Sequence, residues 1–290
     1  MAKLSYEIAL IKGKIKMAPC CGQFMPEAMV RGIMKEMHVL AVDHLGEDRE
    51  ALSPALAQAL GITLYEARAR IAVAGKGPVI VASFGHKHDA DKKAEQLRAA
   101  GISPLILSQA ELETDETRTT ARTFILKDTE LVIGTRTGKE VRMAYSGITL
   151  IIRGTRITQT TRTETEKSTK FAPDRAIMSG GLMMTKSVKV TSTTSADVRD
   201  GFLHLYGAAL QPIAFLESVV LFDSLGPALQ PTRTANFARL LGELRQRCTA
   251  ALFDDRLLTR PGQVRLLGPL FTPEAHLDIA ISVLARSLRS

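Results

Sequence analysis

Hydrophobic positions in the first hundred residues change between short apolar runs and a spacing of three or four residues. The apolar runs predict strands over residues 6–11, 79–84 and 104–107. The helical spacing predicts helices over residues 26–40, 52–60, 63–71 and 89–100. Gly61 and Gly101 follow two of these helices, where a left-handed backbone favours glycine. The order of these elements predicts an α/β open-faced sandwich over residues 1–107.

From Arg122 the hydrophobic period shortens to two, which is typical of strands that bury one face. Strands are predicted over residues 123–126, 131–135, 140–145, 148–153, 202–206 and 213–215. A helix over residues 234–247 follows, with an apolar stripe at Phe237, Leu240, Leu241 and Leu244. We expect an antiparallel β barrel or sandwich over residues 122–250, closed by this helix. The polar residues 108–121 are the predicted linker.

The C-terminal residues 251–290 are predicted to form a helical extension. Pro273 suits the first position of a helix. An apolar stripe follows at Leu277, Ala280, Ile281, Leu284 and Leu288. Such a stripe must be covered, so we expect this helix to pack on the β domain or on a second copy of the chain, as in a homo-oligomer. The fold class predicted for the whole chain is α+β.

Two segments of the N-terminal part resemble a known fold. Residues 60–68 (Leu-Gly-Ile-Thr-Leu-Tyr-Glu-Ala-Arg) join two helices, and residues 92–101 (Lys-Lys-Ala-Glu-Gln-Leu-Arg-Ala-Ala-Gly) form a helix that ends at glycine. This pattern resembles the C-terminal domain of the bacterial ribosomal stalk protein and the Clp protease adaptor that shares its fold. The resemblance implies a docking-type module and no catalysis. The adaptor's acidic peptide-binding motif has no match here, so no functional residue is carried over.

The predicted β domain also resembles a known fold. Its several antiparallel strands followed by one helix resemble the pleckstrin-homology-like barrel, including its bacterial forms. The turn at Gly138 and the stretch 145–148 suit the early hairpins of that family. The resemblance implies a barrel closed by its C-terminal helix.

Composition limits the class of protein. Of the 290 residues, 45% are hydrophobic and 23% are charged, which predicts a globular chain with a packed core. No apolar run approaches the roughly 20 residues that span a bilayer, so no membrane span is expected. Lysines follow the short apolar run at 8–11, where a signal peptide would be hydrophobic, and the three cysteines are an odd number. These features predict an untargeted, cytoplasmic protein, and the resemblances above imply a bacterial-type one.

The positive charge is concentrated in one segment. Residues 118–195 hold 14 Lys and Arg against 6 Asp and Glu, whereas the rest of the chain balances at 24 against 24. Clustered cations attract anionic partners. The predicted binding residues are Arg136, Lys139, Arg142, Arg153, Arg156, Lys167 and Lys170. The alternative is a solvated, charged sheet face without a partner.

Motifs that would indicate catalysis, a metal or a cofactor are missing. There is no G-x-S-x-G, H-E-x-x-H or C-x-x-C motif. His86, His88 and Asp91 are close to Asp89 in sequence, but Asp89 suits a helix cap better than a ligand set. The adjacent Cys20 and Cys21 lack the spacing of a zinc knuckle. We therefore expect no cofactor, no metal and no catalytic residue, although distant residues can still assemble an active site.

These observations favour a non-enzymatic binding or scaffolding protein, such as an adaptor. Its basic β domain would meet an acidic protein, a nucleic acid or a phosphorylated surface. An enzyme of unrecognised class and a nucleic-acid-binding regulator are the alternatives. Binding through the nucleic acid backbone would weaken steeply with salt, whereas an enzyme would have a pocket with titratable groups of perturbed pKa.

Overall fold

The computed structural model describes residues 10–11, 14–15, 37–43, 49–72, 77–171, 185–207 and 211–290, with the backbone alone at 10–11, 14–15, 49, 72, 159–171 and 185–197. The chain divides into two units, residues 1–36 and 37–290. In the first unit, β1 (Leu10–Ile11) pairs antiparallel with β2 (Lys14–Ile15). Cys20, Cys21 and the part of the predicted helix before residue 37 lie outside the described residues.

The second unit begins with a three-stranded antiparallel sheet and its helices. The strands are β3 (His38–Asp43), β4 (Val79–Phe84) and β5 (Ser103–Ser108), in the order β4-β3-β5. The helices are α1 (Arg49–Leu60), α2 (Leu64–Ala72) and α3 (Lys87–Ala99). Leu40 of β3 is fully buried in the core that also contains Leu56 and Leu97. The predicted order of elements from residue 52 to residue 107 is confirmed.

Local signals explain the ends of these helices. The backbone N–H of Thr63 donates to Glu66 Oε2 at 2.9 Å, and that of Glu66 donates to Thr63 Oγ1 at 3.2 Å, which forms a capping box. Gly61 and Gly101 have φ angles of 70° and 77°, in the left-handed region that favours glycine. The predicted glycines after the helices are therefore confirmed. The predicted cap at Asp89 is wrong, because α3 begins earlier, with His86 as its N-cap and Asp89 in its first turn.

The prediction for residues 38–40 is wrong. They were predicted as the end of a helix and instead form the start of β3, which is the central strand of the sheet. Val39 and Leu40 are both fully buried and belong to the cores on opposite faces of this strand. A strand buried on both faces has a continuous apolar sequence, which spacing alone does not distinguish from a helix.

A seven-stranded sheet forms the centre of the second unit. Its strands are β6 (Thr119–Leu126), β7 (Glu130–Thr135), β8 (Glu140–Ala144), β9 (Ile148–Phe171), β10 (Thr185–Gly207), β11 (Ile213–Leu216) and β12 (Leu252–Leu257). Their order is β12-β9-β10-β11-β6-β7-β8. The strand pairs β11/β6 and β12/β9 are parallel, and the other pairs are antiparallel.

The predicted antiparallel barrel is therefore wrong. The sheet is mixed and open, with β12 and β8 at its two edges. A short 3-10 turn, Tyr145–Gly147, separates β8 from β9, and β9 pairs with β10 and β12 instead of returning to β8. The ladder that would close a barrel does not form. The coarser prediction of an α+β protein is confirmed.

Helices cover both faces of the seven-stranded sheet. Helix α4 (Arg233–Arg247) buries Phe237 and Leu240 against one face, as predicted. After α5 (Arg260–Leu267), α6 (Pro273–Leu288) packs in the core on the other face, which also contains Leu150 of β9 and Val39 of β3. The apolar stripe of α6 is thus covered within its own chain. This packing removes the physical reason for expecting self-association through that helix.

Candidate functional site

Strands β9 and β10 extend beyond the sheet as a two-stranded antiparallel ribbon. Strand β12 pairs with β9 only over residues 150–154, and β11 pairs with β10 only over residues 202–205. Beyond these positions, residues 157–171 of β9 pair with residues 185–199 of β10 in continuous register. We call this pair of segments the β9–β10 ribbon. At ~3.3 Å per residue, its strands are roughly 50 Å long.

The register of the ribbon places like charges opposite each other. Lys167 pairs with Lys189, and Lys170 pairs with Lys186. These four residues, the distal lysines, occupy segments 167–171 and 185–189, which contain no Asp or Glu. Like charges directly opposite on neighbouring strands destabilise a sheet. The register thus brings four lysine positions together near the end of the ribbon.

Threonine positions oppose each other along the ribbon, which has no third strand in the described residues. Thr163 pairs with Thr193, and Thr165 pairs with Thr191, in the part of the ribbon between the sheet and the distal lysines. Threonine is β-branched and favours strands, and cross-strand Thr–Thr pairs stabilise a sheet by ~0.2–1 kcal/mol each. The same Thr-rich composition concealed this ribbon in the sequence, because it lacks alternating apolar residues.

The predicted basic residues do not form one face. Arg136 and Lys139 are exposed at the β7–β8 turn, and Arg142 is exposed on the edge strand β8. Arg142 Nε lies 2.8 Å from Glu140 Oε1, and this hydrogen bond raises the pKa of Arg142. Arg153 is half-buried on β9, which four strands separate from β8. Lys167 and Lys170 belong to the ribbon, where the structure describes the backbone alone.

Arg156 holds the base of the ribbon. Its NH1 and NH2 atoms lie 2.6 Å and 2.9 Å from the two carboxylate oxygens of Asp115, and NH2 lies 3.6 Å from Asp278 Oδ1 of α6. The hydrogen bond lowers the pKa of Asp115 and raises that of Arg156. This predicted binding residue is therefore engaged within the protein and links β9 to the segment before β6.

A buried cluster of polar side chains lies beside this base. The Arg118 side chain is fully buried, with NH1 2.6 Å from Asp278 Oδ1 and NH2 donating to the Glu113 carbonyl oxygen at 2.9 Å. The Tyr206 hydroxyl donates to Glu113 Oε2 at 2.8 Å. Burial and the negative charge of Glu113 raise the pKa of Tyr206 well above its usual value. The tyrosine therefore stays protonated and donates to the carboxylate.

His204 completes the buried cluster. It lies on β10 between Phe202 and Tyr206, with its ring centroid 4.8 Å from that of Phe202. Its Nδ1 atom is buried and has no hydrogen-bond partner in the described part of the chain. Burial, reinforced by Arg118 and Arg156, holds its pKa well below the usual value. We call this buried cluster of His204, Tyr206 and Arg118, beside the base of the ribbon, the support.

The predicted linker contributes to this support. Leu112 and Arg118 of segment 108–121 are buried, and the Glu113 N–H donates to Ser282 Oγ of α6 at 2.8 Å. Sequence reasoning missed these residues because a run of polar side chains resembles a solvated segment. The partner, the half-buried Asp278, is 160 residues away from Arg118.

A cavity of about 450 Å³ lies elsewhere on the second unit, at the start of β4, the end of β12 and α5. Arg256, Asp255 and Arg265 contribute charged groups to its wall. Sequence reasoning did not identify this cavity, because its walls come from separate parts of the chain.

Neither a metal centre nor a membrane helix is present among the described residues. In the ranges given above, no three His, Cys, Asp or Glu side chains come together in a way that could hold a metal ion. Over the same ranges, no helix has both the length and the apolar character needed to cross a membrane. Searches of protein-family models, curated proteins and solved structures each found no match to this chain.

Proposed function

We propose that this chain is a non-enzymatic binding protein that presents the β9–β10 ribbon to an anionic macromolecule. The observation that carries the proposal is the placement of the distal lysines in two opposed pairs, Lys167 with Lys189 and Lys170 with Lys186, in segments 167–171 and 185–189 that contain no Asp or Glu. Without a partner, each opposed pair weakens the ribbon. Phosphate groups or clustered carboxylates offset that repulsion and gain charge-assisted hydrogen bonds.

The support at the base of the ribbon favours binding over catalysis. Arg118 and Arg156 are committed to carboxylates of the same chain, and His204 is closed off from solvent. In this proposal, their contacts fix the ribbon at its base. A ribbon whose conformation is fixed before binding loses less conformational entropy on binding than a flexible segment does.

In the same proposal, the three-stranded sheet and its helices are the docking-type module of an adaptor or scaffold. Its order β4-β3-β5, with α1 and α2 before β4 and α3 before β5, supports the resemblance to the stalk-protein and adaptor fold. The buried free thiol of Cys248 supports a reducing, cytoplasmic setting. In this proposal the protein connects two partners, one through each region.

The proposal is tested by binding assays with the full chain. We expect it to bind a 30-base-pair DNA duplex or poly-L-glutamate at 50 mM salt, as measured by fluorescence anisotropy. Substitution of Lys167 and Lys189 by Gln should reduce the affinity by about tenfold, since each cation near a polyanion contributes several-fold. The matched control, Lys87→Gln with Lys92→Gln, removes the same charge from α3 and should leave the affinity within twofold.

The two probes separate the possible partner classes. Preference for the duplex would identify a nucleic-acid-binding protein, because a two-stranded ribbon fits the major groove. Preference for polyglutamate would identify an acidic protein as the partner. If neither probe bound, or if both double variants lost the same affinity, the ribbon would not be the binding element.

A further inference from the structure

We propose that the cavity between β4, β12 and α5 binds a small zwitterion with an apolar side chain, such as a hydrophobic amino acid. The cavity volume of about 450 Å³ lies within the ~300–1,000 Å³ typical of small-molecule sites. Its lining contains three charged side chains, from Asp255, Arg256 and Arg265, and an apolar part formed by two leucines and two prolines. This inference is independent of the ribbon and its partner.

Arg256 is a fixed part of the cavity wall. Its Nε and NH2 atoms each lie 2.8 Å from Asp254 Oδ2, and its backbone N–H donates to Asp254 Oδ1 at 3.0 Å. A Cβ at Gly77 would lie only 1.5 Å from NH1, so the guanidinium packs against the backbone at that glycine. The charge of Arg256 is thus compensated within the wall, and the remaining charged groups determine what the cavity accepts.

The two remaining charges are opposite in sign. Asp255 and Arg265 are exposed at the cavity, and neither makes an ion pair within the described ranges, including with each other. A ligand that carries both a carboxylate and an ammonium group offers a partner of opposite charge to each residue. The Arg265 guanidinium suits a carboxylate, because its planar donors match the two oxygens. The Asp255 carboxylate accepts hydrogen bonds from an ammonium group.

The rest of the wall explains why the ligand should have an apolar side chain. Leu258 and Leu266 face the cavity together with Pro78 and Pro261. A polar side chain placed there would lose water contacts without replacement, which is unfavourable. An aliphatic side chain such as that of leucine has no hydrogen bonds to water to lose, and its burial removes apolar surface from water.

The test is isothermal titration calorimetry of the full chain with three probes. L-Leucine has both charges, N-acetyl-L-leucine lacks the ammonium group, and L-leucinamide lacks the carboxylate. We expect L-leucine to bind about tenfold more tightly than either analogue, the factor that corresponds to one charge-assisted hydrogen bond. If L-leucine did not bind, or if the three probes bound equally, the proposal would be wrong.

Two variants assign each charge to its residue. Arg265→Gln should reduce the affinity for L-leucine about tenfold and leave that for L-leucinamide unchanged. Asp255→Asn should reduce the affinity for L-leucine similarly and leave that for N-acetyl-L-leucine unchanged. The controls Arg98→Gln and Asp223→Asn alter exposed residues away from the cavity lining and should change no affinity. Loss of all three probes to the same extent in either variant would contradict the assignment.

Discussion

The fully buried Arg118 guanidinium provides the sharpest test of the support beneath the ribbon. The Arg118→Met substitution keeps the approximate volume of the side chain and removes its charge. It leaves Asp278 and Glu113 without their nearest cation, and their side chains are 37% and 17% exposed. Removing one partner of a buried ion pair costs about 3–5 kcal/mol.

The structure places the expected cost at the lower end of that range. Asp278 keeps Arg156 at 3.6 Å, and Glu113 keeps the Tyr206 hydroxyl at 2.8 Å. Partial exposure also lets water stabilise both carboxylates. We therefore expect the free energy of unfolding to fall by about 3 kcal/mol, which corresponds to roughly 6 °C in Tm for a unit of this size.

Urea unfolding followed by far-ultraviolet circular dichroism measures this change, because the midpoint shifts while the slope stays constant. Arg98→Met is the matched control on an exposed helix face and should change stability by less than about 0.5 kcal/mol. Adding Glu113→Gln and Asp278→Asn to Arg118→Met removes the two carboxylates that lost their partner. This triple variant should recover part of the lost free energy of unfolding. A loss below about 1 kcal/mol in the single variant, or no recovery in the triple variant, would refute the ion-pair reasoning.

Three further predictions concern buried positions. The His204 side chain takes up a proton below pH ~6.5 in the unfolded chain, whereas its lowered pKa keeps it neutral in the folded protein. The free energy of unfolding should therefore fall by up to about 2 kcal/mol from pH 7 to pH 5. The His204→Phe substitution should reduce this loss. Gly154→Ala should lower the free energy of unfolding in urea by about 1–3 kcal/mol, because the new Cβ would clash with Phe202 Cζ. Gly147→Ala is the control and should be tolerated, because a Cβ there meets no atom within 4 Å. Burial raises the pKa of Cys248 to about 11, so mass spectrometry should show its alkylation by iodoacetamide at pH 8 to be about a hundredfold slower than in urea.

The elements that were predicted correctly are those with local determinants. The glycines at 61 and 101 and the apolar stripe of α4 act within a few residues of the element they define. Such signals are visible in a sequence because one segment contains all the interacting groups.

The elements that were missed depend on distant partners. The strand β12 has the sequence Leu-Phe-Asp-Asp-Arg-Leu, without apolar alternation, and it pairs in parallel with β9 about a hundred residues earlier in the chain. The Thr-rich ribbon depends on cross-strand pairs between β9 and β10. The buried Arg118 pairs with Asp278 of α6, far away in the sequence. None of these pairings leaves a periodic pattern in its own segment.

The salt dependence of binding is the most direct test of the central claim that the distal lysines meet an anionic macromolecule. The measurement is the slope of log affinity against log NaCl concentration for a 30-base-pair DNA duplex. It compares the full chain with a variant that has Gln at Lys167, Lys170, Lys186 and Lys189. If each lysine neutralises one phosphate, the slope should become shallower by about 3 to 4, at ~0.9 per contact. An unchanged slope in the fourfold variant would contradict the account.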